Sequence, residues 1–196
     1  MFFIPKEIEL RIFDIDQNEV ENRLKAMGAK HIADRDFKRV ELLIKGKVSD
    51  VYKGYKMWAR VRTDGKKTTV TLKERKGSAM HSTNEWEVEA SDFKTAVQMF
   101  CKMYKPTIYE ENKRIEYVYD GAQITMDKWP MLPWLLEIEG DSVRKVREIY
   151  KKLALKRKGT DVGNITLIEA YKKYGIDWVA LTKRNTKKLE KLLSNS

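Results

Sequence analysis

The sequence predicts an α+β fold in which most strands run antiparallel. Eight segments alternate apolar and polar residues with the period of a strand. Two junctions carry Asp-Gly, the short-hairpin signal, at Asp64-Gly65 and Asp120-Gly121. Capped patterns of helical period stand between the blocks of strands, which is the α+β arrangement.

The elements follow in order. "KEIELRIF" (6–13) reads as a strand with Glu7, Glu9 and Arg11 on one face and Ile8, Leu10 and Ile12 on the other. Residues 17–27 set Val20, Leu24 and Met27 at helical spacing, with Gly28 as the cap. Strands follow at 37–44, 56–63, 67–75 and 84–90. A helix then opens at Ser91 or Asp92 and carries Phe93, Val97, Phe100, Cys101 and Tyr104 on one side. Strands at 113–120, 122–127 and 134–139 lead into "DSVRKVREIYKKLAL", a helix with Val143, Val146, Ile149, Tyr150 and Leu153 on its apolar side. The polar stretch 155–164 reads as a loop, and helices at 165–174 and 177–193 are divided at Gly175. The succession of helices and strands suggests two related halves, although no residue-level repeat accompanies it.

Composition narrows the setting. The 196 residues suffice for one domain with a sizeable core. No apolar run is long enough to span a membrane, and "MFFIPKE" is too short for a signal peptide. Cys101 is the single cysteine, so no intrachain disulfide forms and a reducing, cytoplasmic location is expected. The net charge of +11 is unevenly spread. Residues 141–196 hold 15 basic and 6 acidic side chains, and residues 1–140 hold 25 and 23. The basic excess therefore belongs to the C-terminal part, where it serves either an RNA or other acidic partner or solubility alone.

Charge patterning carries the functional signal. Glu85, Glu87 and Glu89 alternate in "EWEVEA", and Glu137 and Glu139 in "LLEIEGD". Arg60 and Arg62 alternate in "WARVRTD", Lys73 and Arg75 in "TVTLKERK"; "ENKRIEY" adds Lys113 and Arg114, and "ITMDKW" adds Asp127. A solvated sheet face explains any one of these strands. Taken together they place like charges side by side, which such faces avoid. If the sheet closes with its apolar face under the helices, the charges line a tunnel. Carboxylates would then hold a hard divalent cation and guanidiniums a phosphate chain. No Gly-rich phosphate loop, zinc spacing or Ser/His/Asp set is present.

These motifs resemble the triphosphate tunnel metalloenzymes, also called the CYTH superfamily after class IV adenylyl cyclase and thiamine triphosphatase. The family's Glu-x-Glu-x-Lys opening is read here as Glu7-Ile-Glu9-Leu-Arg11. "WARVRTDGKKTTVTLKE", "NEWEVEASDF", "NKRIEY" and "ITMDKWPMLPWLLEIEG" match its later strands, over residues 6–155. The resemblance implies an eight-stranded antiparallel β tunnel with a charged interior, covered by amphipathic helices. It implies a tunnel domain over 1–155, followed by a basic helical extension over 156–196. It also implies Mg²⁺ or Mn²⁺ held by Glu7, Glu9, Asp127, Glu137 and Glu139. Arg60, Arg62, Lys73, Arg75, Arg114 and Lys113 would contact a nucleoside triphosphate or tripolyphosphate. Strand alternation favours Arg114 over Lys113 for the inner face. Arg11 and Glu87 would be the catalytic residues, in a monomer or homodimer. Arg11 stands where the family has lysine, and a guanidinium does not give up its proton. That substitution leaves nucleotide cyclisation of the adenylyl cyclase type less affected than hydrolysis. A triphosphatase and a non-catalytic module binding nucleotide, polyphosphate or an RNA 5′-triphosphate are the alternatives.

Overall fold

In the computed structural model, residues 6–45, 57–75, 83–104, 106–156, 160–161 and 167–194 are described. The elements are β1 (Lys6–Glu7), β2 (Glu9–Phe13), α1 (Gln17–Ala26), β3 (Lys30–Lys45), β4 (Met57–Thr63), β5 (Thr68–Arg75) and β6 (Thr83–Ala90). They continue with α2 (Phe93–Met103), β7 (Pro106–Tyr119), β8 (Ala122–Lys128), β9 (Trp134–Glu139), α3 (Val143–Leu153), β10 (Thr160–Asp161), α4 (Leu167–Lys173) and α5 (Trp178–Ser194).

All strand pairs are antiparallel, in the order β1-β6-β5-β4-β3-β7-β8-β9-β2-β10. β1, at one end of that order, and β2, next to the other end, meet in the chain. β1 and β2 are halves of the segment 6–13, interrupted at Ile8, whose carbonyl accepts from the Gly140 N–H at 3.0 Å. The first half pairs with β6, Glu7 opposite Thr83; the second pairs with β9, Arg11 opposite Glu137. The expected first strand thus links one edge of the sheet to the strand beside the other edge, with the ladder broken rather than continuous around the ring.

Alternation decides which side of the sheet is which. Leu10, Ile12, Ile124, Met126, Leu136 and Ile138 form the outer face of one half, packed under Val20 and Leu24 of α1 and Val146, Ile149 and Leu153 of α3. Each such side chain contributes about 1.5–3 kcal/mol through burial. On the other half, Val40, Leu42, Ala59 and Val61 pack under Phe93 and Val97 of α2 and Leu189 of α5. The outer face of β6 is only partly covered, and Trp86 and Val88 are exposed there. The charged residues between these positions face inward.

The helices start where the caps predict. Asp16 accepts from the Glu19 N–H to open α1, and Gly28 follows α1 with φ +76°. Of the two candidates for α2, Asp92 is the cap, accepting from the Thr95 N–H at 2.6 Å.

Two strands are longer than alternation predicts. β3 begins at Lys30 rather than residue 37, and β7 at Pro106 rather than residue 113; the extra length of each strand pairs with the expected part of the other. Adjacent charges in "HIADRD" and "EEN" hide the period of two there. Pro106 is tolerated because it opens the strand, where a missing N–H costs least. The expected loop 155–164 contributes β10, which pairs with Ile12 and Phe13.

At one end the interior turns apolar. Phe13, Ile108, Trp129, Leu132 and Leu135 pack with Ile168, Ala170 and Tyr171 of α4 and Trp178 of α5. The C-terminal helices therefore pack across that end of the barrel. α5 turns Arg184, Lys187, Lys188 and Lys191 to solvent, and Lys188 reaches Glu111 at 3.2 Å.

Candidate active site

The inward-facing side chains surround a cavity of about 410 Å³. β2 contributes Glu9 and Arg11, β4 Arg60 and Arg62, β5 Lys73, β6 Glu85 and Glu87, β7 Arg114, and β9 Glu137 and Glu139. Strand alternation brings these together from positions far apart in the chain. Glu7 and Arg75 are placed by backbone register alone, both opposite Thr83, and their side chains lie outside the described residues.

Two expected residues sit elsewhere. Lys113 points out of the sheet, is largely exposed and lies 3.8 Å from Asp36, so it is not brought to the cavity. Asp127 faces inward but lies behind Arg114, almost fully buried. Its Oδ1 accepts from Arg114 Nε at 2.8 Å and Asn112 Nδ2 at 2.7 Å, and its Oδ2 from Arg114 Nη2 at 2.5 Å. With both oxygens engaged it anchors an arginine, and it is not presented to the cavity as a metal ligand.

One network links the two walls. Arg114 Nη2 also donates to Glu137 Oε2 at 2.9 Å, and Arg11 Nε to Glu137 Oε1 at 2.7 Å. Arg11 Nη2 lies 2.7 Å from Glu9 Oε1. Burial alone would raise the Glu137 carboxyl, yet Arg11 and Arg114 hold it down to about 2. Burial would likewise lower Arg114, but Asp127 and Glu137 hold it above its ordinary range.

The facing wall is short of anions. Burial, then the charges of Arg60, Arg39 and Arg114, lower Arg62 to about 9. Lys73 is paired with Glu85 at 2.7 Å, and Arg60 approaches Glu85 at 3.5 Å and Glu87 at 3.9 Å. Arg60 Nε is buried without a hydrogen-bond acceptor. Glu87 Oε2 accepts from the Thr71 hydroxyl at 2.6 Å.

Sequence reasoning missed Arg39, Glu41 and Glu110 on the cavity wall, and Glu116, which alternation puts on the face of Arg114, carried no role. They lie on the long strands β3 and β7, and their signal is the run Glu110, Asn112, Arg114, Glu116 at every second position. Glu85 was visible as part of the Glu-x-Glu alternation but carried no role. Burial first, then the neighbouring Glu41, push Glu110 up to about 8, with Arg39 opposing. A carboxyl raised in the folded state leaves that state binding the extra proton between about pH 4.5 and 8. Its destabilisation therefore grows as pH rises through that window. Glu110→Gln is expected to raise the melting temperature at pH 8.5 and leave it nearly unchanged at pH 4, measured by calorimetry at both values.

Counting the wall decides what it suits. Eight glutamates and six basic side chains line the cavity among the described residues. Carboxylates outnumber cations, so a bare polyanion is poorly matched, whereas a polyanion carrying a divalent cation is well matched. Hard oxygen donors, with Glu137 ionised at neutral pH, suit Mg²⁺ or Mn²⁺. As they stand, no three described acidic, His or Cys side chains converge closely enough to hold an ion. Glu9 and Glu137 are paired with arginine instead, so the donor set fits in its chemistry and would have to exchange those contacts. Among the described residues no helix is long and apolar enough to cross a membrane.

Comparison with known proteins agrees with this frame. The sequence profile described as the CYTH domain matches residues 5–169. A search of curated proteins returned no match. Among solved structures, a conserved hypothetical protein of Pyrococcus furiosus superposes with a TM-score of 0.69 at 22% identity, covering 84% of this chain and 99% of its own. A Vibrio parahaemolyticus protein described as a candidate adenylate cyclase gives 0.63 at 12% identity, with 83% and 98% covered. A Hippeastrum protein, described as a candidate adenylyl cyclase with a dominant triphosphatase activity, gives 0.56 at 14%, with 87% and 97% covered. These identities establish a shared fold, and the profile spans most of the sequence: the chain belongs to the CYTH domain family.

Proposed function

We propose that the protein is a divalent-cation-dependent enzyme acting on the triphosphate of a nucleotide, converting ATP to cyclic AMP and pyrophosphate in the manner of a class IV adenylyl cyclase. The observation that carries this reading is that one cavity brings together a cluster of arginines and a set of carboxylates. Arg39, Arg60, Arg62 and Arg114 lie within electrostatic reach of one another, and Glu9, Glu137 and Glu139 sit on the adjacent strands β2 and β9. The apolar end favours a nucleotide over an inorganic chain, because Phe13, Trp58, Ile108 and Leu135 line the same cavity and offer nothing to phosphate.

In this reading Arg60, Arg62, Lys73 and Arg114 bind phosphate oxygens and hold the chain in line. Glu9, Glu137 and Glu139, with Glu7 added by register, would hold Mg²⁺ or Mn²⁺, which supplies Lewis-acid neutralisation of phosphate charge. Arg11 is fixed by Glu9 and Glu137 and acts as a permanent donor, since it does not deprotonate. The ribose 3′-oxygen attacks the α-phosphorus, pyrophosphate leaves, and Glu87 takes the proton from the hydroxyl.

Product analysis with ATP and Mg²⁺ or Mn²⁺ tests this. Cyclic AMP and pyrophosphate are expected, with both lost in Glu87→Gln. Orthophosphate as the product would assign hydrolysis instead. Binding without turnover would make the protein a nucleotide-binding module.

A further inference from the structure

One side chain on the cavity wall belongs to none of the motifs that define the site. Arg39 is 4% exposed and makes no ion pair among the described residues. One of its Nη groups donates to Asn112, and its Nε has no acceptor. Its guanidinium lies 4.5 Å from the ring centre of Trp129, which is 7% exposed. The Trp129 indole N–H also has no acceptor. Both residues line the cavity.

Two buried donors without acceptors, stacked together on one cavity wall, call for an explanation. A buried guanidinium is costly unless an anion neutralises it. The two carboxylates whose charges act on Arg39 do not neutralise it: Asp127 is committed to Arg114 and Asn112, and Glu110, raised to about 8, carries its proton at neutral pH. Burial and the charges of Arg60 and Arg114 lower Arg39 itself to about 10, so it remains a cation at neutral pH. A packing role for Arg39 would leave these facts unexplained, because an apolar side chain would stack on Trp129 without the charge.

We propose that Arg39 and Trp129 form a phosphoryl-oxygen subsite of the cavity, with Arg39 Nε and the Trp129 indole N–H as its two donors. The subsite rests on the polyphosphate reading above and adds two residues to it. Asn112 orients the guanidinium from one side, and the indole ring does so from the other. Arg39 and Trp129 come from β3 and the turn after β8, separate from the arginine pair on β4 and the lysine on β5.

The test is calorimetric titration of the full chain with inorganic tripolyphosphate and Mg²⁺. Arg39→Met is expected to weaken binding about 10- to 100-fold, the loss of charge-assisted hydrogen bonds. Trp129→Phe keeps an aromatic ring, removes the pyrrole half of the indole with its N–H, and is expected to weaken binding about 2- to 10-fold. Arg39→Lys keeps the charge without the Nε donor, is also expected to weaken binding, and stands in if the methionine variant does not fold. Either Arg39→Met or Trp129→Phe binding tripolyphosphate as wild type does would overturn the subsite. Failure of the wild type to bind would instead overturn the polyphosphate reading, which separates the two.

Discussion

Glu137→Gln is expected to lower both stability and activity, each by a large amount. Glu137 accepts from both Arg11 and Arg114, which reach it at 2.7 and 2.9 Å. Removing its charge leaves two largely buried guanidiniums with reduced compensation. Breaking a buried pair in this way costs about 3–5 kcal/mol. The folded state holds this carboxyl at about 2, so its contribution is fully present above the ordinary carboxylate range and is lost as pH falls toward 2. The variant should therefore melt well below wild type at pH 7 and approach it in acid. Turnover of ATP is expected to fall at least about 100-fold, since even outer-shell changes at metal sites cost 10- to 100-fold. Chemical denaturation and a product assay on the same preparation measure both effects.

Arg62→Met is expected to act in the opposite direction on stability. Arg62 is crowded by Arg60, Arg39 and Arg114, and its nearest carboxylate contact is Glu87 at 3.8 Å. The depressed value of about 9 still lies above neutrality. At pH 7 the guanidinium remains charged, and the ligand-free protein carries the full cost of that charge. A methionine retains contact with Phe37, over which the Arg62 guanidinium now sits at 4.5 Å. We expect the melting temperature of the ligand-free protein to rise by about 2–4 °C, corresponding to about 1 kcal/mol. Tripolyphosphate binding is expected to weaken about 10- to 100-fold. A rise in stability with a loss of binding separates an anion-binding residue from a structural one, whose removal lowers both. Thermal melts with and without tripolyphosphate read this directly.

Much of the site was legible because strand alternation is a strong constraint. Glu9-x-Arg11, Arg60-x-Arg62 and Glu137-x-Glu139 each fix a face once the intervening apolar residues are placed outward. The same rule correctly ranked Arg114 above Lys113. Legibility failed where charge occupied both faces. In "HIADRD" and "TIYEENKR" neighbouring polar residues erase the alternation, so the long β3–β7 pairing and the inward Glu110 were missed, whereas Arg39 and Glu41 lie in the expected strand 37–44 and carried no role. Asp127 shows a different limit: its face was right, but its burial behind Arg114 depends on side-chain pairing that no spacing reveals. The packing of α4 across one end depends on long-range contacts among Phe13, Ile108, Leu135 and Ile168, which local pattern cannot supply.

The central claim is that the cavity binds a phosphate chain together with a divalent cation. Titrating wild-type protein with tripolyphosphate, first with excess Mg²⁺ and then with a chelator, tests it most directly. Tight binding that weakens at least about tenfold on chelation is the expected result, because the ionised glutamates of the wall otherwise repel the chain. Equal or tighter binding in the chelator would contradict the account, leaving a plain anion site in which the carboxylates serve only to pair with arginine.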